Sequence, residues 1–181
     1  MIPNARCCHR RAFSLVEVAV AIVICVVFGA GAFLTNQRLL IALKAQKETT
    51  AATMVMQQRM EKLRASGFSN IASASYLKDS IIATPSGSEA PLGNLTETIT
   101  VSAFDRTTGG TIADFTSAVV RRNGAAPNGT IIAAGNLPHG RVGSEPATLL
   151  RVDVLLNWSS ADSRPRTREL SSLFTIGNIA P

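Results

Sequence analysis

The sequence predicts an α+β fold: one long N-terminal helix, apolar enough in its first half to span a membrane, packed on a small antiparallel β-sheet head. Three observations carry this. From Phe13 to Leu34 the strongly polar side chains are Ser14 and Glu17 alone. From 35 to 66 the chain turns polar but stays rich in Ala, Gln, Lys, Glu, Met and Leu, all good helix formers. Beyond Gly67, runs of β-formers alternate with polar residues between turns containing Gly and Pro. A length of 181 residues allows one modest domain plus an extended element. The expected divisions are a basic leader at 1–12, a membrane-spanning half-helix at 13–34, its amphipathic continuation at 35–66 and a β-rich head at 67–181.

The apolar segment sets the terms for the rest. Its ~22 residues rise ~33 Å as a helix, enough to cross the hydrocarbon of a bilayer. Arg6, Arg10 and Arg11 precede it and hold the N-terminus in the cytoplasm by the positive-inside rule. Glu17 is the anomaly, because an acid at the centre of a membrane helix costs ~2.5–3.5 kcal/mol and marks a functional position by default. A secretory signal would use Ala30-Gly31-Ala32 as its cleavage site, but its apolar region would be long, carry an acid and run on into a helical pattern. A lipoprotein signal at Cys25 is excluded because Ile24 before it is not small. A plain single-pass anchor accounts for the span and the arginines and leaves Glu17 idle.

The stretch Arg10-Arg11-Ala12-Phe13-Ser14-Leu15-Val16-Glu17, opening an apolar helix, resembles the N-terminal signature of type IV pilins and pseudopilins over residues 6–35. The resemblance implies a pilin-like fold and cleavage between Ala12 and Phe13 by a cytoplasmic-side prepilin peptidase/N-methyltransferase. It also implies N-methylation of Phe13 and a role for Glu17 in drawing subunits into a helical filament. The physics agrees: Phe13 and Glu17 lie about one helical turn apart on one face, and a buried carboxylate needs a cationic partner such as a neighbouring subunit's N-terminal amine. Two positions depart from the family pattern, Ala12 where Gly is usual and Leu34 where many major pilins carry Pro. The second fits a minor pilin or pseudopilin better than a major subunit. The run Met56-Gln57-Gln58-Arg59-Met60-Glu61-Lys62-Leu63-Arg64 before a Gly-aromatic stop is also similar to minor pilins of the type IV pilus modification family.

Helical character is expected to persist to Ser66, since no Pro falls between 4 and 84. Gly29 and Gly31 offer a bend or a close helix approach. Leu39, Leu40, Leu43, Ala51 and Met54 fall on one side of the helix; Ala52, Met56, Met60 and Leu63 fall on a second. Both read as faces that dock the sheet, with Lys44, Arg59 and Lys62 on the strip between them. Gly67 reads as a C′ stop, with Phe68 folding back onto the last turn.

In the head, segment 71–84 is ambiguous, anchored by Tyr76-Leu77 and Ile81-Ile82, and a loop follows at 85–94. Leu95 to Phe104 alternates as a strand, and Asp105 to Gly110 supplies a turn. Thr116–Arg122 and Thr130–Ala134 are shorter strands, and 135–146 is a long loop. Leu149 to Trp158 is the strongest strand, with Val152, Val154 and Leu156 on one face. Arg164 to Arg168 reads as a basic turn from which Glu169 to Ile176 pairs back as the last strand.

Composition narrows the function classes. Net charge is +6, and without residues 1–12 Lys+Arg falls from 18 to 15 against 12 acids, leaving +3, too weak to argue nucleic-acid binding. Cys7 and Cys8 lie in the leader and Cys25 in the span, so the head has no disulfide and depends on packing. No catalytic residue, metal ligand set or cofactor is expected. His139 sits alone in a Pro-His-Gly loop, and Asp153, Asp162, Glu145 and Glu169 are scattered. Arg121-Arg122 and the run Arg164, Arg166, Arg168 read first as solvated strand ends. The sharper alternative is a phosphate-tracking patch of a DNA-uptake pilin, with Arg164, Arg166 and Arg168 as nucleic-acid contacts, which is not favoured.

The expected protein is a non-enzymatic structural subunit, a minor pilin or pseudopilin of a type IV pilus or type II secretion pseudopilus. Its expected partners are the prepilin peptidase/N-methyltransferase and other pilin subunits. It begins in the inner membrane with its N-terminus cytoplasmic and its head exported, and passes into the filament. An uncleaved anchor displaying a binding head is the other alternative.

Overall fold

The structure, a computed structural model, describes residues 14–83, 85–105, 108–112, 114–124, 128–137, 149–160 and 162–175. The leader, Ala12, Phe13, His139, Glu145 and Ile176 lie outside the described residues. The architecture is α+β and pilin-like: a long N-terminal helix, α1 (Leu15–Ala65), whose later residues pack on an antiparallel sheet. The chain divides into two units, residues 1–42 and 43–181.

In the first unit, every side chain from Ser14 to Ala42 is exposed, including Leu15, Phe28, Phe33 and Leu34. A helix apolar on all sides has no partner face within its own chain and belongs in a membrane or against other helices. At the end of the apolar run the Thr35 hydroxyl donates to the Gly31 carbonyl (2.9 Å), so its polarity is met inside the helix.

In the second unit, α1 buries Ala51, Ala52, Val55, Met56, Arg59, Met60 and Leu63, the i, i+4 spacing of one helical stripe. Two docking faces were expected; the second is used throughout, and of the first Ala51 alone is buried. Its Leu43 and Met54 are exposed, because a sheet covers a single stripe of a helix. Arg59, expected on the polar strip, lies in the middle of the buried stripe at 1% exposure. The helix ends as expected, by a different device. Gly67 is extended (φ −66°, ψ 153°) and N-caps α2 (Phe68–Ile71) rather than closing α1 in a left-handed turn. Ser66 closes it instead: its hydroxyl donates to the Lys62 carbonyl (2.8 Å) and meets the Tyr76 hydroxyl (3.1 Å). The ambiguous segment is helical, α3 (Ala74–Tyr76) running into a wide turn at Leu77–Ile82 that buries Leu77, Ile81 and Ile82.

The sheet comprises β1 (Gly93–Asp105), β2 (Gly110–Thr111), β3 (Ala118–Asn123), β4 (Thr130–Ala133), β5 (Leu149–Ser159) and β6 (Pro165–Thr175). Its order is β4-β3-β1-β5-β6, with β2 folded back on the end of β1 and every pairing antiparallel. Alternation decides the inner face. Ile99, Val101 and Ala103 of β1 join Ala118 and Val120 of β3 and Leu150, Val152 and Val154 of β5 beneath Met60 and Leu63. A second cluster gathers Ala51, Ala52, Val55 and Met56 with Leu92, Leu95, Leu156 and Trp158.

One strand boundary corrects the sequence reading. Arg164–Arg168 is not a turn: β6 begins at Pro165, which pairs with Ser159, and the Ser160 N–H donates to the Arg164 carbonyl (3.0 Å) where the chain reverses. Pro165 looks like a breaker, but at the first residue of an edge strand its missing N–H costs no ladder bond. The Ser160 hydroxyl, in that turn, donates to the buried Glu48 carboxylate of α1 (2.5 Å).

Candidate assembly segment and buried charge cluster

Glu17 sits in the first turn of α1, where its N–H and that of Val18 donate to the Ser14 carbonyl (2.9 and 3.2 Å). Ser14-Leu15-Val16-Glu17 has the spacing of a capping box, a signal the sequence reading passed over. A carboxylate at a helix N-terminus gains ~0.3–1 kcal/mol from the helix dipole. That local return is small against the penalty of a carboxylate in an apolar segment. Among residues 15–37, Glu17 is the one charged side chain.

Arg164, Arg166 and Arg168 do not form one free patch: the first two share the Asp162 carboxylate and the third turns to α1. Arg164 is exposed and Arg166 partly so, each 3.7 Å from the Asp162 carboxylate. Desolvation works to raise the Asp162 pKa, but the Arg164 N–H and the Arg166 and Arg164 charges carry it below the ordinary value. Arg168 reaches across to α1, donating to the Thr53 hydroxyl (2.7 Å) and the Thr49 carbonyl (3.3 Å). Of the other pair, Arg121 is exposed and Arg122 is not: it is 2% exposed, inside the head.

Arg122 belongs to a group of four charges that reading by residue type missed. Arg59 donates Nε and Nη2 to the two oxygens of Glu97 (2.7 and 3.1 Å) and Nη1 to the Ile81 carbonyl (2.6 Å). Arg122 Nη2 donates to Glu97 Oε2 (3.0 Å) and Glu89 Oε1 (2.6 Å). Glu89 comes from the 3₁₀ turn Gly87–Glu89, where it also closes a capping box with Ser86. Burial works against the Arg122 charge, but the hydrogen bonds and charges of Glu89 and Glu97 outweigh it and raise its pKa. Two guanidiniums against two carboxylates leave the group neutral. It divides the two apolar clusters: Arg59 follows Val55 and Met56 and precedes Met60 on α1, and Glu97 stands between Leu95 and Ile99 on β1. Among the described residues, Arg122 Nε and Trp158 Nε1 are buried without a partner.

Lys62 stands beside this group. Burial and the Arg59 charge lower its pKa below the ordinary 10.5, against the opposing pull of Glu97 and Glu89. In the window just below 10.5 the unfolded chain holds a proton that the folded chain has shed, so stability rises with pH there. The expected result is a Lys62 side-chain NMR titration below the ordinary lysine value, with that rise in stability lost in Lys62→Met.

The fold and the exposed segment together define a class: a head carried by a helix fit for membrane insertion and helix–helix assembly. The chain carries a known signature of that class, since residues 7–33 match the family model described as the prokaryotic N-terminal methylation motif. That is the type IV pilin signature, and it supports a type IV pilin-like subunit. No curated protein and no solved structure is a significant match to the chain.

Proposed function

We propose that this chain is a structural subunit, a minor pilin or pseudopilin, of a type IV pilus or type II secretion pseudopilus. It is processed between Ala12 and Phe13, N-methylated at Phe13 by the prepilin peptidase/N-methyltransferase, and assembled with other pilin subunits through α1. The observation that carries the reading is the coincidence of the methylation motif at 7–33 with a helical segment that is apolar, wholly exposed and marked by one acid, Glu17. The absence of cysteine from residues 36–181 and Leu34 in place of Pro favour the minor-pilin or pseudopilin branch. An inserted precursor has residues 1–12 in the cytoplasm, 13–34 in the inner membrane and the head exported. Glu17 then draws the amine of a neighbouring subunit's Phe13, because a carboxylate in an apolar surround is stabilised by a cation.

The DNA-uptake alternative is weakened by the disposition of its arginines, with Arg122 buried and Arg168 engaged with α1.

The test is the mature N-terminus and mass of the chain purified from its native membrane. A chain beginning at methylated Phe13 is expected. A start at Phe33 makes it a secreted protein and an intact Met1 makes it an ordinary anchor, and either overturns the reading.

A further inference from the structure

One oxygen in the head collects three donors. Glu89 Oε1 accepts from Arg122 Nη2 (2.6 Å), Arg59 Nη2 (3.2 Å) and the Ser86 N–H (2.7 Å). The two guanidiniums do not owe their positions to Glu89. Glu97, on β1, holds Arg59 through both carboxylate oxygens and Arg122 through one, and the Ile81 carbonyl takes a further Arg59 donor. Glu89 is the peripheral member: its side chain is 13% exposed, against 1% for each arginine and 0% for Glu97.

Charge counting shows what this position demands. Arg59 and Arg122 against Glu97 alone leave one uncompensated positive charge inside the head, and buried unpaired charge is among the costliest defects a fold can carry. Lys62 adds to the same positive field, since it is close enough to Glu89 and Glu97 to feel both. Two guanidinium N–H groups converging on one point suit a carboxylate oxygen. The segment that brings Glu89, residues 85–92, meets the sheet at a discontinuity. Asn94 has φ +49°, and the pairing of β1 with β5 shifts register between Gly93 and Thr96.

We propose that Arg59 and Arg122 form a carboxylate-binding pocket, preset by Glu97 and the Ile81 carbonyl. Glu89 is its internal ligand and clasps the 85–92 segment to the head, and an external carboxylate takes its place. The inference stands apart from the subunit reading, since it concerns the head alone.

The test uses the full chain in detergent with formate as the probe and chloride at equal ionic strength as the control. Glu89→Ala is expected to melt below wild type in chloride and to be rescued saturably by formate, its folding equilibrium shifting at least ~10-fold beyond the chloride effect. Glu89→Gln removes the same charge but leaves a side chain in the pocket, so its gain from formate is expected to be smaller than that of Glu89→Ala. In the wild-type chain, formate is expected to speed amide exchange at Ser86 to Ala90 while leaving β1 and β5 unchanged. Equal effects of formate and chloride on Glu89→Ala overturn the proposal. So does wild-type exchange at 86–90 indifferent to formate, and that measurement decides alone if Glu89→Ala folds in neither salt.

Discussion

Glu97→Ala is expected to destabilise the head by about 3–5 kcal/mol, the cost of breaking a buried ion pair by removing one partner. Glu97 is fully buried and accepts from both Arg59 and Arg122, so its loss leaves two guanidiniums sharing the single carboxylate of Glu89. The size of the effect comes from what is left behind rather than from the strength of the pair. Replacing Arg59 and Glu97 together by methionine leaves Arg122 and Glu89, a neutral pair, and joins the two apolar clusters that the charges now divide. Exchanging a buried pair for apolar side chains of similar volume is often neutral or stabilising. The double variant is therefore expected to be more stable than Glu97→Ala. Trp158, the one indole in the chain and 5% exposed, reports unfolding by fluorescence in chemical denaturation. A loss below ~1 kcal/mol in Glu97→Ala, or a double variant as damaged as the sum of its singles, sinks the argument.

The same residues show what was legible in the sequence. Leu95 to Phe104 and Leu149 to Trp158 were readable as strands because alternation of β-formers with polar residues is a local pattern that the sheet then satisfies. The charges were misread because they were judged by type rather than by parity. Leu95, Glu97 and Ile99 share one face of a strand, as do Val120 and Arg122, and Arg59 keeps step with Val55 and Leu63 on the helix. Periodicity thus placed all three inside, while the general habit of arginine suggested solvent. Their pairing joins residues 25 to 38 positions apart and follows from no local rule. The strand at Pro165–Arg168 was missed for a related reason: a proline breaks an interior strand but not the first residue of an edge strand, and edge position is a property of the assembled sheet. At the other end of the chain the candidate site was legible at once, since a lone acid in an apolar run needs no tertiary context to stand out.

Glu17→Ala is expected to abolish assembly while leaving the chain processed and inserted. Its contribution to its own helix is confined to the dipole, ~0.3–1 kcal/mol, too little for helix content to change measurably. If its carboxylate meets a neighbour's N-terminal amine within an apolar helix bundle, removing it strands that amine at a cost of about 3–5 kcal/mol. At ~1.4 kcal/mol per tenfold, incorporation into filaments falls at least ~100-fold. Glu17→Gln keeps the shape and loses the charge, so it is expected to fail nearly as badly, whereas Glu17→Asp retains part of the function through a longer contact. The readout is the ratio of sheared-filament to membrane-retained protein, with the mature mass measured on both fractions so that a processing defect is seen separately. Wild-type incorporation by Glu17→Ala would reduce the acid to a helix-capping residue. The case for a charge-guided assembly step would fall with it, even if cleavage at Phe13 were intact.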